Sequence, residues 1–255
     1  MSTDVLQVAN LNKSFGGVQA IRDLSFHMNE GEVLGLIGPN GSGKSTIVNV
    51  LAGLLPATSG NIQLGGKSVE SLPEHERVAR GLARTYQTAS IFPDFTVREQ
   101  VMLGASVTMQ SHPLSSVFKT KAFRREDTDI SQRVQRVLEL TSLQSVAGHK
   151  VGTVSSAEQR FLMIATALAS NPKVLLLDEP AAGLIANERE GLCRLIKSIS
   201  EEGISVLVIE HHMALIMEVC SRILVLNFGS MIAQGTPAEI RQNPDVIDAY
   251  LGEAA

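Results

Sequence analysis

A glycine-rich segment at residues 38–45 has the residue types and spacing of a phosphate-binding loop. Its sequence, Gly-Pro-Asn-Gly-Ser-Gly-Lys-Ser, fits the pattern G-x-x-x-x-G-K-[ST] without a departure. Glycines let successive backbone N–H groups converge on phosphate oxygens, because a Cβ atom would block both the turn and the close approach. Lys44 would reach the outer phosphates and Ser45 would place its hydroxyl on Mg²⁺. The segment therefore predicts a site for a nucleoside triphosphate, and we assign to it Gly38, Pro39, Asn40, Gly41, Ser42, Gly43, Lys44, Ser45 and Thr46.

The segments on either side of this loop supply the context that the motif requires. Residues 32–37 are predicted to form a buried strand and residues 46–52 a helix. The N-terminus of a helix adds partial positive charge where the phosphates would lie. The competing interpretation, a chance glycine-rich turn, is disfavoured by this order of strand, loop and helix.

A second predicted strand, at residues 173–179, is apolar and ends in two carboxylates, Asp178 and Glu179. Ligands of open α/β sheets gather at the carboxyl ends of the strands, so Asp178 is well placed to meet Mg²⁺. Glu179 could then orient or deprotonate the water that attacks the terminal phosphate. Taken without the upstream loop, the pair could equally be a helix cap with a solvated neighbour.

Two further polar residues follow predicted strands. His211 comes after the apolar strand at residues 204–209, so it should emerge at the same sheet edge and could bind the terminal phosphate or hold the water. Its alternatives are a surface histidine or, with His212, a metal site; neighbouring residues of a strand point to opposite faces, which disfavours shared ligation. Gln87 ends the short predicted strand at residues 82–87 and could offer an amide oxygen to Mg²⁺ or to the water; its alternative is a plain surface glutamine.

Composition limits the classes of protein that remain. The chain has 255 residues, 44% of them hydrophobic, which is enough for one large domain with a subdomain. A net charge of -4 gives no basic field for nucleic acid. The sequence shows neither a run of about 18 apolar residues nor a secretion-type start, so we expect a cytoplasmic protein. Cys193 and Cys220 are predicted to be small core hydrophobes.

The order of predicted elements indicates an α/β fold with an interruption. Extended segments at residues 5–15 and 18–28 predict an antiparallel subdomain, and the alternation of strands and helices after residue 171 predicts a parallel sheet covered on both faces. We therefore predict a core formed by residues 1–87 and 171–255, and an inserted helical subdomain at residues 88–170.

The inserted block is predicted to consist of helices alone. The predicted helices cover residues 96–105, 124–143 and 159–170. In the second of these, apolar residues fall mainly on one face: Ile130, Val134, Val137, Leu138 and Leu140.

Together these residues resemble the ATPases of the ATP-binding cassette (ABC) family, over essentially the whole chain. The resemblance implies a single nucleotide-binding domain with a P-loop NTPase, RecA-like core, and ATP with Mg²⁺ as its ligands. Residues 38–45 resemble the Walker A motif, and residues 175–179 resemble the Walker B motif with Glu179 as the catalytic glutamate. Gln87 resembles the Q-loop glutamine, His211 the switch histidine, and Phe15 the aromatic residue that stacks on adenine, although Phe15 could also be a core aromatic.

Several segments resemble one branch of the family more closely, the LivG-type ATPases of branched-chain amino acid importers. These segments are residues 83–87, 101–105, 179–184 and 243–252. This resemblance implies an ATPase that powers uptake of branched-chain or other neutral amino acids, with importers of urea or another small solute, or a regulatory ABC ATPase, as alternatives. It also implies three kinds of partner: a second cassette, two transmembrane permease subunits and, indirectly, a solute-binding protein. The chain would lie against the permeases on the inner face of the cell membrane, and it would not bind nucleic acid.

Two departures from the family pattern concern the surface that faces the second cassette. Where the family signature is similar to L-S-G-G-Q, this chain has Val154 followed by Ser155, Ser156, Ala157 and Glu158. A methyl group and a negative charge should both disfavour approach to the γ-phosphate of the partner's ATP. The following loop has Ile185 and Ala186 where an Asp or Asn is expected. The hypothesis is an asymmetric heterodimer, in which this chain's own ATP is hydrolysed and the partner's site is weak.

Overall fold

The computed structural model describes residues 4–85, 91–107 and 121–251, without the side chains of residues 121–126 and 251. The chain divides into two compact units. Unit 1 comprises Met1–Arg84 and Lys173–Ala255, and unit 2 comprises Thr85–Pro172. None of the helices among the described residues combines the length and the apolar character needed to cross a membrane.

The central sheet of unit 1 has six strands, in the order β10-β9-β3-β8-β7-β6. Every neighbouring pair is parallel except β9 and β10. All residues of β3, β7 and β8 are buried, as expected of strands covered on both faces. The strands are β3 (Val33–Ile37), β6 (Leu82–Arg84), β7 (Val174–Asp178), β8 (Ser205–Ile209), β9 (Arg222–Asn227) and β10 (Ser230–Gly235).

Unit 1 also contains a second, antiparallel sheet, whose strands come before β3 and directly after the first helix in the sequence. Its order is β2-β1-β4-β5, and its strands are β1 (Asp4–Phe15), β2 (Val18–Asn29), β4 (Ser59–Leu64) and β5 (Lys67–Ser68). One buried cluster joins apolar residues of both sheets to helix α1 (Lys44–Ala52). The helix that follows the glycine-rich loop is therefore fixed by packing along its whole buried side.

The last turn of α1 is held by a buried arginine on α2 (Glu74–Ala79). The guanidinium of Arg77 donates hydrogen bonds to the carbonyl oxygens of Val50 at 2.7 Å and Leu51 at 2.8 Å. These carbonyls belong to the end of a helix, where no intrahelical donor remains. Burial lowers the pKa of Arg77, and the backbone carbonyls compensate for its removal from water. The described part of unit 1 contains four further helices: α6 (Ala186–Glu201), α7 (Met213–Val219), α8 (Pro237–Gln242) and α9 (Pro244–Leu251).

Unit 2 contains α3 (Val97–Ser106), α4 (Lys121–Leu140) and α5 (Ser156–Leu168), with short 3₁₀ turns between the last two. Apolar residues of all three are buried, among them Val101, Val134 and Leu162. Helices α3 and α5 approach closely, since a Cβ atom on Gly104 would lie 2.0 Å from the carbonyl oxygen of Thr166.

The predicted fold class is confirmed, and most predicted elements lie within three residues of the observed ones. The predicted boundaries of two helices were wrong. Helix α4 covers 121–140 and not 124–143, and the chain leaves it through Ser142 at a φ of 58°. Helix α5 begins at Ser156 and not at residue 159, because Ser155 caps it. Strands β5 and β10 had not been predicted.

The two cysteines are buried and not bonded to each other, which confirms the prediction. Burial raises the pKa of Cys193 to about 11 and that of Cys220 to about 12, so both thiols stay protonated at neutral pH.

Candidate nucleotide site

Three loops of unit 1 start at the same edge of the central sheet. They follow β3, β8 and β7, which are adjacent and parallel. Ile209 at the end of β8 is in register with Leu36 on one side and with Asp178 on the other. Two inter-strand spacings amount to about 10 Å, so the glycine-rich loop, Glu179 and His211 all emerge within a region the size of a triphosphate.

The glycine-rich loop is held tightly against other backbone segments. A Cβ atom on Gly38 would lie 2.2 Å from the carbonyl oxygen of Leu226, and one on Gly43 would lie 2.6 Å from that of Ala20. Gly43 also has a φ of 105°, a backbone conformation that residues other than glycine rarely adopt. Gly41 differs, since a Cβ there would meet no atom within 4 Å. Two of the loop's glycines are therefore required by the fold itself, and not only by the approach of a phosphate.

The N-terminus of α1 is open. Its N-cap is Gly43, no side chain caps it, and its first turn contains no acidic residue. Ser42 is 2% exposed, and its buried Oγ atom has no hydrogen-bond partner among the described residues. A buried hydroxyl without a partner costs free energy, and an anion at this helix end would satisfy it together with the first-turn amides. The donors present therefore fit a phosphate group.

Lys44 lies folded against the loop. Its Nζ donates to the carbonyl oxygens of Gly38 at 2.7 Å and Pro39 at 2.8 Å. Lys44 is thus already at the centre of the loop, where it would need only a change of rotamer to contact a phosphate. The other assigned loop residues differ in exposure: Asn40 and Ser45 are exposed, Thr46 is half-buried and Pro39 is buried.

Asp178 is paired with an arginine that the sequence analysis missed. Its carboxylate, 4% exposed, accepts a hydrogen bond of 2.8 Å from Nη2 of Arg84. Nη1 of the same guanidinium donates to Oδ1 of Asn49 on α1 at 2.5 Å. Arg84 ends β6, which pairs with β7, so a charged residue at the end of a short strand was the signal that could have found it. The carboxylate of Asp178 is thus paired with a positive charge in this structure, and carboxylates are the ligands that Mg²⁺ prefers.

Glu179 has a backbone conformation that is rare for its residue type. Its φ is 48°, and its N–H donates to the carbonyl oxygen of Ile209 at 2.9 Å. Non-glycine residues in the left-handed region persist where the surroundings impose them, and such residues cluster at functional sites. The side chain is half-buried, and His211 on the neighbouring loop is exposed. No group of three or more His, Cys, Asp or Glu side chains that could hold a metal ion occurs among the described residues.

Of the two remaining predicted ligands, Phe15 and Gln87, the structure describes only Phe15. Phe15 ends β1 with its ring 47% exposed and Nζ of Lys13 4.8 Å from the ring centroid, so it is not a core aromatic. Gln87 falls outside the residues that the structure describes.

The signature segment forms the start of α5 in unit 2. Ser155 is the N-cap, and Glu158 in the first turn accepts a hydrogen bond from the Ser155 N–H at 2.7 Å. The Glu158 N–H in turn donates to Oγ of Ser155 at 3.2 Å. Ser156 is exposed and Ala157 half-buried. In unit 1, Ile185 has a side chain that is 62% exposed, and its N–H donates to Glu188 at 2.9 Å.

Comparison with protein families finds two matches. The family described as ABC transporter matches residues 21–182, and the family described as branched-chain amino acid ATP-binding cassette transporter matches residues 230–255.

Curated relatives match over the full length of the chain. The high-affinity branched-chain amino acid transport ATP-binding protein BraF of Pseudomonas aeruginosa is 40% identical over 255 residues, 100% of both chains. The corresponding protein LivG of Escherichia coli is 38% identical over the same length, again 100% of both chains. The lipopolysaccharide export system ATP-binding protein LptB of Escherichia coli is 34% identical over 251 residues, 97% of both chains.

Solved structures agree with these relatives. The ADP conformation of MJ1267, an ATP-binding cassette of an ABC transporter, superposes with a TM-score of 0.84 at 29% identity and covers 98% of this chain and 99% of its own. A nucleotide-free ATP-binding cassette from an ABC transporter superposes with a TM-score of 0.83 at 29% identity, over 97% of this chain and 98% of its own. These matches confirm the resemblance found in the sequence, and the chain belongs to the ABC transporter family as an ATP-hydrolysing, ATP-binding subunit of the LivG and BraF type.

Proposed function

We propose that the chain hydrolyses ATP to power an importer of branched-chain or other neutral, hydrophobic amino acids. The observation that carries this proposal is the full-length similarity to BraF and LivG, which are named as branched-chain amino acid transport proteins. The match at residues 230–255 supports it independently, since this segment lies outside the general ABC transporter match.

The site residues divide into those that bind and those that react. The α1 amides and Lys44 bind the phosphates, and Phe15 stacks on the base. Ser45, Asp178 and, as the family resemblance implies, Gln87 would hold Mg²⁺, which would neutralise charge on the phosphate oxygens. Glu179 orients or deprotonates the attacking water, and His211 contacts the terminal phosphate. The strained backbone of Glu179 supports a role that depends on the exact direction of its carboxylate.

Unit 2 offers an exposed apolar surface for the permease subunits. Phe92 and Phe95 stack with ring centroids 4.9 Å apart, and both are exposed. Among the described residues of this unit, three more large apolar side chains are exposed, on or directly after α3: Met102, Leu103 and Val107. Exposed apolar groups of this size are typical of interaction sites. Through this surface the chain would lie on the inner face of the cell membrane, with a solute-binding protein contributing indirectly.

The second cassette is proposed to be a different chain. The start of α5, which in the family faces the partner's ATP, carries the methyl group of Ala157 and the negative charge of Glu158, and Glu158 is engaged with the helix's own N-cap. Exposed Ile185 replaces the polar residue expected at the interface. An intact signature from another chain would complete the site in unit 1, while the site of that other chain would be weak.

The test is to purify the tagged chain from its native membranes with magnesium and ATP and to assay the complex in vesicles. We expect a second cassette, two permeases, and ATP hydrolysis that rises when the binding protein is loaded with leucine or isoleucine. Glu179→Gln should retain ATP and abolish turnover, with Glu201→Gln, an exposed acid of α6, as the control.

Other outcomes would correct the proposal. Stimulation by urea alone would mean that the transported solute is urea and not an amino acid. Recovery of ribosomes or DNA would overturn the transport role. Robust, cooperative hydrolysis by the lone chain would overturn the asymmetric pair.

A further inference from the structure

Glu210 is a buried carboxylate between the two loops that carry the proposed reacting residues. Its side chain is 1% exposed, and none of the described Lys or Arg side chains forms an ion pair with it. Other buried carboxylates of unit 1 are paired with arginine: Asp178 with Arg84 and Glu32 with Arg222. A buried anion needs hydrogen bonds or charge to offset the loss of water, so the partners of Glu210 define its role.

Those partners are backbone amides from both loops. Oε1 of Glu210 accepts a hydrogen bond of 2.7 Å from the N–H of Ala181, and Oε2 accepts one of 3.4 Å from the N–H of His212. Ala181 lies two residues after Glu179, and His212 directly follows His211. A carboxylate suits this position because it only accepts, whereas both groups that face it donate.

A second contact ties the same loops together. The Glu179 N–H donates to the carbonyl oxygen of Ile209 at 2.9 Å, and the Ala182 N–H closes the turn on the carbonyl oxygen of Glu179 at 3.2 Å. The turn that begins at Glu179 is thus attached to Ile209 at the end of β8 and, through Ala181, to the carboxylate of Glu210. The left-handed φ of 48° at Glu179 lies at the first of these contacts. Glu210 is buried, whereas His211, which follows it in a bend after the end of β8, is exposed.

We propose that Glu210 is a positioning residue for ATP hydrolysis, and that its carboxylate holds Glu179 and His211 at a fixed separation. This inference rests on the roles proposed above for those two residues. Glu210 itself faces the protein interior and two backbone amides, so it acts through the loops and not on the substrate.

The direct test is backbone amide hydrogen exchange in the full-length chain without nucleotide. In the wild type, the Ala181 amide should exchange more slowly than that of Gly183, a neighbour in the same turn that is exposed. Glu210→Gln keeps the size but presents an amide N–H₂ to one of the two donors, so exchange at Ala181 should accelerate about tenfold or more. Equal exchange at Ala181 and Gly183 in the wild type would overturn the proposal that Glu210 holds the two loops together, even if the variant did not fold.

The matched control is Glu32→Gln. Glu32 is also a buried carboxylate that accepts a backbone N–H, from Asn29 at 2.7 Å, but it precedes β3 at the opposite end of the sheet. This variant should lose stability without changing exchange at Ala181. Faster exchange at Ala181 in both variants would mean a general loosening and would overturn the specific role of Glu210.

The catalytic part is tested by separating binding from turnover. ATP affinity of the Glu210→Gln chain should stay within about twofold of the wild type, because the phosphate loop is untouched, whereas turnover of the assembled complex should fall about tenfold. Unchanged turnover beside faster exchange would overturn the positioning role alone. A wild-type complex without any turnover would instead overturn the proposed function. The exchange result would still decide whether Glu210 holds the two loops together.

Discussion

Two helix N-termini in this chain have opposite chemistry. At α1 the N-cap is Gly43, no side chain caps the helix, and the first turn has no acid. At α5 the N-cap is Ser155, and the carboxylate of Glu158 in the first turn accepts a hydrogen bond of 2.7 Å from the Ser155 N–H. The first helix end leaves its amides and its positive dipole for a ligand, whereas the second has satisfied them with its own side chains.

The start of α5 matches the ordinary structural caps of the molecule. Helix α3 has the same reciprocal pair in Thr96 and Glu99, and α8 has it in Thr236 and Glu239, each with a carboxylate 2.7 Å from the N-cap nitrogen. The difference between α1 and these three helices shows that two positions, the N-cap and the third residue, decide whether a helix end serves a ligand or its own stability.

The largest effect is expected from closing the α1 terminus. Gly43→Ala should destabilise the chain by about 3 kcal/mol, because the φ of 105° strains any side chain and the new Cβ would lie 2.6 Å from the carbonyl oxygen of Ala20. Gly41→Ala is the matched control, with a φ of 75° and no atom within 4 Å, and should cost about 1 kcal/mol. Urea unfolding of both variants measures the difference, and equal losses would contradict the assignment of Gly43 to a backbone contact.

Removing the cation at the open terminus comes next. Lys44→Ala should weaken ATP binding by about 10- to 100-fold, as expected for the loss of one charge-assisted contact to phosphate. Binding of a fluorescent ATP analogue measures this, with Lys197→Ala, an exposed surface lysine, as the control. An unchanged affinity would mean that the loop does not hold the phosphates.

Removing the methyl group and the charge at the start of α5 should have a smaller effect of the opposite sign. In Ala157→Gly combined with Glu158→Gln, the methyl group and the negative charge are removed, and ATP-dependent association with a second cassette should strengthen about fivefold, or about 1 kcal/mol. Analytical ultracentrifugation with Mg²⁺ and ATP measures the association. Glu99→Gln makes the same carboxylate-to-amide change in the α3 cap and should have no effect, so an equal gain in that variant would contradict the role of the signature.

The smallest effect concerns the pH dependence of a structural cap. Hydrogen bonds from the backbone and side chain of Thr96 lower the pKa of Glu99 below 4.5. The stabilisation is therefore present above the unfolded-state pKa and is lost as the pH falls through the lower folded-state pKa. Glu99→Gln should reduce Tm slightly at pH 7, and its difference from the wild type should shrink below pH 4.5. A Tm difference that stays constant down to pH 3 would contradict this account.

The sequence alone determined the elements and the order in which they reach the site. The pattern of strand, glycine-rich loop and helix at residues 33–52, and the apolar β7 that ends in Asp178, are local signals, because period and residue type act over a few neighbouring positions. Parallel alternation then places the ends of β3, β7 and β8 at one edge. The fold class, the family and the loop that should bind the nucleotide could therefore be predicted from the chain itself.

Only the tertiary structure decided which atoms meet there. Three contacts join residues far apart in the chain: the pair of Arg84 with Asp178, the close approach of Gly43 to Ala20, and the hydrogen bond from the Ala181 amide to Glu210. Such contacts depend on strand register and side-chain direction, for which a single sequence carries no local signal. For the same reason the left-handed backbone of Glu179, imposed by its neighbour β8, became visible only once the sheet was assembled.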